Sequence, residues 1–334
     1  MLNSNINFNN KTILITGGAG FIGSSLAFYI QDNFPKSKIV IFDCFQNDAI
    51  SEKGYLQSYG HYKNLIGFMG DVICGNIAKK DDLTLLSDYK FNYIFHHAAI
   101  SDTRAYNQEL VMKINVNSFY DILKITKEHG ATLVYASSAA TYGNLPSPQT
   151  VGNERPENPY GYSKYVMDQI ALRYAMENPD LIIVGLRFFN VYGPGEYYKA
   201  NTSSMVIQLG HQILDGRAPR LFNNSSQILR DFIYINDVIQ ANIKACTSTK
   251  NGHYNIATGV SRSFQEIVDI LQKELGTDLE TEYFSNPYSG YQMNTQAEIL
   301  HTKKHLDFDP KFSLEAGIKD YMPEILRLHG AENT

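Results

Sequence analysis

The segment TILITGGAGFIG, residues 12–23, constrains the fold more than any other stretch of the chain. An apolar run ends in a turn with glycine at 17, 20 and 23, and a helical pattern follows. A tight strand-to-helix turn needs the first glycine, close approach of a pyrophosphate needs the second, and close packing of helix on strand needs the third. The helix start then offers unpaired amides and a positive dipole end to phosphate groups. Asp43 stands 20 residues beyond Gly23, after a second apolar run, where a carboxylate accepts hydrogen bonds from ribose hydroxyls. The chain is therefore expected to bind a dinucleotide, NADP or NAD. The acid favours NAD and a neighbouring cation would favour NADP; Lys53, Lys63 and Lys80 lie too far along to be placed, so both stay open.

Strand-length apolar runs recur at 39–42, 93–95, 133–136 and 181–186, with helical periodicity between them. Continuous apolar strands alternating with helices predict an α/β protein with a Rossmann-type doubly wound parallel sheet. After residue 187 the pattern loosens into aromatic and glycine-rich segments and single helices at 204–214 and 263–275, which predicts a smaller C-terminal substrate lobe. Residues 230–238 again read as a strand entering a helix, so the two parts interleave. The expected division is a dinucleotide-binding domain over 11–186 plus 229–257 and a substrate lobe over 187–228 plus 258–330. The asparagine-rich MLNSNINFNN at the start reads as a leader.

With 43% hydrophobic and 19% charged residues in 334, the chain has the composition of a folded protein. The net charge of -5 and scattered lysines and arginines give no electrostatic footprint for nucleic acid. No apolar stretch is long enough to span a bilayer, and the start lacks a signal-peptide pattern, so a cytoplasmic protein without membrane insertion is expected. Cys44, Cys74 and Cys246 form no CxxC pair, which points away from a disulfide framework or a zinc site. His96 and His97 adjoin in a strand and point to opposite faces, so no metal is expected.

Tyr160 and Lys164, in PYGYSK, stand four apart in a helical region and share one face. A nearby ammonium favours the phenolate, which suits the tyrosine to acid/base work. Tyr162 faces elsewhere. Such pairs are also common on solvated helices, and serines at a strand end are commonly turn formers. Here, however, the strand LVYA runs into SSAATYG, residues 137–143, upstream of the pair.

The TGGAGFIG turn, the SSAATYG strand end and PYGYSK, in this order, resemble the extended short-chain dehydrogenases. The resemblance implies that Ser138 hydrogen-bonds the substrate hydroxyl that loses hydride, and that Lys164 also holds the nicotinamide ribose. It implies one tightly bound dinucleotide per subunit, contacted by Gly17, Gly20, Phe21, Ile22, Gly23, Asp43, Asn76, Ile77, Ala98, Tyr160 and Lys164, and a homo-oligomer. Sugar 4,6-dehydratases of this family carry an Asp-Glu pair where Ala139 and Ala140 stand, so dehydration is disfavoured and epimerisation or simple redox is left.

Over residues 11–325 the chain is similar to the ADP-glyceromanno-heptose 6-epimerase family, through ASSAATYG, NPYGYSK, RFFNVYGPGEYYK, RDFIYINDV and YQMNTQAE. That resemblance implies inversion of C6 of a nucleotide-linked heptose on the route to lipopolysaccharide core. Tyr160 would serve one substrate orientation and Lys199 the other; without the motif, Lys199 is an exposed loop lysine. It also implies substrate contacts from Ser101, Asn190, Ser204, Arg230 and Tyr291. The fork of Arg230 suits a diphosphate, or it pairs with Asp231 or Asp237. Arg104 departs from the pattern, standing where a small hydroxyl residue is expected. If it points into the site, the sugar differs, and an epimerase or reductase of a UDP-, GDP- or dTDP-linked sugar becomes the alternative; if helical geometry turns it outward, nothing changes. A non-catalytic dinucleotide sensor is disfavoured because Ser138, Tyr160 and Lys164 are all present.

Overall fold

The computed structural model describes residues 6–46, 59–287 and 292–332. In chain order the strands are β1 (Thr12–Thr16), β2 (Lys38–Asp43), β3 (Asp71–Cys74), β4 (Tyr93–His96), β5 (Thr132–Ser138), β6 (Ile183–Phe188), β7 (Asn190–Tyr192), β8 (Arg220–Phe222), β9 (Leu229–Tyr234), β10 (Gly252–Ile256), β11 (Ser261–Ser263) and β12 (Glu282–Phe284). The helices are α1 (Phe21–Asn33), α2 (Lys80–Leu83), α3 (Gln108–Val111), α4 (Ser118–His129), α5 (Pro159–Glu177), α6 (Met205–Leu214), α7 (Ile235–Ala245), α8 (Phe264–Leu275), α9 (Leu300–Leu306) and α10 (Leu314–Glu332).

Seven strands form one sheet in the order β10-β6-β5-β4-β1-β2-β3, every pair parallel. This is the expected doubly wound arrangement. The strand order reverses between β1 and β4, and a ligand crevice opens at the carboxyl ends beside such a switch point. Side chains alternate between faces. Ile13 and Ile15 of β1 pack in one cluster with Leu26 and Ile30 of α1, whereas Leu14 packs in the other with Phe119 of α4 and Met167 of α5. Each such side chain contributes about 1.5–3 kcal/mol on full burial.

The first cluster continues from the sheet through α7 into α6, α8 and α10 of the carboxyl-terminal part. There β11-β9-β7 and β12-β8 form small separate sheets. Residues 229–245 are indeed a strand entering a helix, but β9 belongs to the three-stranded sheet, while β10 joins the large one. The capping signals are specific: Ser263 and Glu266 form a reciprocal capping box at α8, and Asn158 accepts from the Gly161 amide at the start of α5.

The reading of residues 6–10 as a leader is corrected. Ile6 and Phe8 are buried, and the Phe8 ring packs edge-on to Phe34, Tyr93 and Phe95. Two apolar residues among asparagines were too sparse to register as a core segment, yet they close one edge of the first cluster.

Candidate active site

The glycine turn is held by backbone contacts that leave no room for side chains. Gly17 has φ +69, and a Cβ there would lie 2.6 Å from the Ala98 amide nitrogen. At Gly23 it would lie 2.3 Å from the Gly17 carbonyl oxygen. At Gly20, the N-cap of α1, the nearest atom would be 3.2 Å away, and no side chain caps the helix. The first amides of α1 therefore meet the adjoining cavity, a cradle suited to an anion.

That cavity has an open volume of about 900 Å³. It is lined by Gly17, Gly20, Phe21, Ile22, Gly23, Asp43, Asn76, Ile77 and Ala98 on the side expected to hold the dinucleotide. Ser138, Tyr160, Lys164 and Lys199 line it as well, with Ser101, Asn190 and Arg230. Tyr291 lies outside the described residues. The structure gives Ser204 another setting: its hydroxyl caps α6 by accepting from the Val206 amide and donates to Glu196 at 2.7 Å, and it does not line the cavity.

Asp43, at the end of β2, is buried and accepts from the amides of Ala19 and Phe45 at 3.0 and 2.8 Å. Burial pushes its carboxyl up, against those amides. Close by, residues 59–66 form a strap. The His61 amide and the Asn64 side chain both donate to the Ala19 carbonyl at 3.0 and 3.1 Å. The His61 ring stacks on Tyr198, centroids 4.0 Å apart and planes 3° off parallel. The strap thus joins the glycine turn to the loop that carries Lys199, and Tyr59 and Gly60 line the cavity from it.

Tyr160 and Lys164 occupy the buried face of α5, and Tyr162 is half exposed, as expected. Gly161 lets the helix approach the strand end: a Cβ would lie 2.4 Å from the Ala140 carbonyl. The Lys164 ammonium donates to the Ala136 carbonyl at 2.7 Å and stands 5.9 Å from the Tyr160 ring centre. Burial pulls this lysine down to about 8, with Asp168 opposing. Tyr160 departs from the expectation. Its phenol is pushed up by burial, and the group that favours ionisation is the Ser138 hydroxyl rather than the lysine. Ser138 and Tyr160 thus line one stretch of the cavity wall, where a substrate hydroxyl could reach both.

Beneath them lies a buried charge network. Arg187 of β6, fully buried, pairs with Asp168 of α5 at 2.8 Å and with Glu154, and donates to the Tyr142 hydroxyl at 3.0 Å. Tyr135 and Ser137 of β5 donate to the same Asp168 at 2.9 and 3.0 Å. Removing one partner would strand a buried charge, so the network fixes the register of α5 against β5 and β6.

Arg104 lines the cavity, and its Nε and NH2 donate to the Asp102 carboxylate at 3.0 and 3.1 Å. Arg230 donates to the carbonyls of Leu229 and Gln292 at 2.8 and 2.5 Å, while the Asp231 and Asp237 carboxylates are filled by amides, among them those of Gly259 and Phe312. Two contributors escaped the sequence. Asn115 sits in a π-helical turn, Met112–Asn117, and brackets Ile100 by accepting from its amide and donating to its carbonyl, with a further bond to Ser163 at 2.9 Å. The π turn shifts the helical register, which hides it from periodicity. Glu196, buried in the loop before α6, had only its place in GPGEYYK as a signal.

Residues 13–257 match the model of the NAD dependent epimerase/dehydratase family. An ADP-L-glycero-D-manno-heptose-6-epimerase of Helicobacter pylori is 48% identical, over 98% of this chain and 99% of its own, with a TM-score of 0.90. The UDP-glucose 4-epimerase of Thermotoga maritima, solved with UDP-glucose, is 25% identical over 94% and 99%, with a TM-score of 0.83. The UDP-glucuronic acid 4-epimerase of Bacillus cereus, solved with UDP-glucuronic acid and NAD, is 25% identical over 95% and 99%, with a TM-score of 0.80.

Proposed function

The chain belongs to the NAD-dependent epimerase/dehydratase family, and from that premise we propose that it inverts C6 of an ADP-heptose, converting ADP-D-glycero-D-manno-heptose to ADP-L-glycero-D-manno-heptose for lipopolysaccharide core. The observation that carries this reading is one cavity lined both by the dinucleotide cradle and by two proton-transfer groups on separate elements, Tyr160 on α5 and Lys199 on the loop before α6. A simple reductase needs one such group; inversion through a ketone needs service to two orientations of the same carbon.

The bound nicotinamide, of NAD or NADP, supplies the hydride acceptance and return. Everything else falls to the chain. Ser138 orients the C6 hydroxyl and Tyr160 takes its proton; Lys164, tethered to Ala136, holds the ribose beside them. Lys199 exchanges the proton when the ketone presents its other face. Arg230, anchored by its bonds to the Leu229 and Gln292 carbonyls, offers its remaining N–H donors and positive charge to the diphosphate. The test is epimer interconversion by the protein as isolated, without added oxidant. An equilibrium mixture of the two C6 epimers is the expected result, and no turnover by nucleotide-loaded protein defeats the reading.

Arg104 in the cavity favours a second reading, an epimerase or reductase of another nucleotide sugar. Faster turnover of a UDP-, GDP- or dTDP-sugar than of the ADP-heptose would select it. We also place the protein in the cytoplasm; among the described residues no helix is long and apolar enough to cross a membrane. Exposed Tyr120 on α4 and Tyr162 on α5 support a homo-oligomer, and a monomer in sedimentation would refute that.

A further inference from the structure

The loop between β7 and α6, residues 193–204, must present Lys199 to the cavity, and its packing comes from Tyr197 and Tyr198 while the residues around the lysine itself are not buried. Its conformation is costly. Ala200, next to the lysine, has φ +50 and ψ -128, a region that favours glycine. Such a backbone persists only where its surroundings fix it.

The fixing group is Glu196, whose side chain is fully buried. One carboxylate oxygen accepts from the Gly193 amide at 3.1 Å and from the Ser204 hydroxyl at 2.7 Å; the other accepts from the Ser204 amide at 2.5 Å. Gly193 opens the loop and Ser204 closes it, so a single carboxylate clasps both ends. Between them the Lys199 amide donates to the Glu196 carbonyl at 3.0 Å, and Thr202 donates back to the Lys199 carbonyl at 2.7 Å. The lysine ammonium lies 5.6 Å from the centre of the Phe21 ring on α1.

We propose that Glu196 is the positioning residue of the second proton-transfer group: its carboxylate clasps the loop so that Lys199 is held in the cavity. The proposal rests on the role given to Lys199 above. It adds an electrostatic consequence. Burial lowers the ionisation of Lys199, and two carboxylates oppose it, Glu196 from its own loop and Asp102 from the turn before α3. Tyr192 of β7 and Tyr321 of α10 face Glu196 from the other side, both neutral at working pH because burial pushes them up.

The experiment compares Glu196→Gln, Lys199→Met and wild type as nucleotide-loaded proteins, reading kcat, KM and their pH profiles on the ADP-heptose epimers. Glu196→Gln is expected to lower kcat by about 10–100-fold with KM within about 3-fold, as a misplaced proton-transfer group does. Removing the negative charge also moves the pH limb belonging to Lys199 to lower pH, a change that mere loosening of a loop does not produce. In the Lys199→Met background the second substitution adds nothing further. Wild-type kcat and an unmoved limb in a folded Glu196→Gln protein overturn the proposal. Undiminished kcat in Lys199→Met overturns instead the reading beneath it. Should Glu196→Gln fail to fold, Ser204→Ala decides, since it removes one clasp donor and keeps the charge: a kcat loss of about 3–10-fold at constant KM supports the clasp. A rise in KM alone overturns it and returns Ser204 to the substrate.

Discussion

Replacing Tyr160 by Phe is expected to lower kcat by about 10²–10⁴-fold, the usual worth of a positioned acid/base, while the dinucleotide stays bound. The substitution removes one oxygen and keeps the ring in its packed place on α5, where Tyr160 is 8% exposed. The pH profile adds a second readout. Burial pushes the phenol above its ordinary value against the Ser138 hydrogen bond, so it is protonated at neutral pH and its ionised form grows as the medium turns alkaline. Wild-type turnover should therefore rise with pH through that ionisation, and the residual turnover of the variant should lack the rise. Turnover equal to wild type would remove this tyrosine from the chemistry.

Gly23→Ala is expected to yield protein without bound nucleotide and without activity. The new methyl would stand 2.3 Å from the Gly17 carbonyl oxygen and 2.8 Å from the Gly18 Cα, both backbone atoms that cannot swing aside. Either α1 or the turn must move, at a loss of about 1–3 kcal/mol of stability and of the aligned amides that meet a pyrophosphate. Gly20→Ala separates these effects. Its methyl meets only the Gly17 carbonyl oxygen, at 3.2 Å, a tight contact but a milder one, so the melting temperature should fall less than in Gly23→Ala while nucleotide is lost. Nucleotide released on denaturing each protein, measured by absorbance, is the check; a full complement in Gly23→Ala would show that the close packing is not required.

The parts of the fold that were legible in the sequence are those whose burial is apolar. The runs that became β1, β2, β4, β5 and β6 are covered on both faces, so their central residues are almost all hydrophobic, with the buried polar ones gathered toward the carboxyl ends. β3 escaped because Asp71–Cys74 lies at the sheet edge with mostly exposed side chains. β10 escaped for the opposite reason: His253 and Asn255 are buried, but their neighbours are Tyr135 and Tyr142 hydroxyls, and a polar interior leaves no apolar run. In the site, the glycine turn, Ser138 and the Tyr160–Lys164 pair each lie within a short segment with its own motif, and it was the joint occurrence of those motifs, in the order of a known family, that made them legible. The clasp of Glu196 joins residues 193 and 204, and the Arg187 network joins β5, β6 and α5 with Tyr142 and Glu154; neither has a local period to read.

The ring stack of His61 on Tyr198 ties one wall of the cleft to the other directly beside the glycine turn. Residues 59–66 therefore couple the glycine turn to the loop that carries Lys199: the same short segment holds the Ala19 carbonyl through His61 and Asn64 and the Tyr198 ring through His61, so a shift at the turn is passed to that loop through one ring contact.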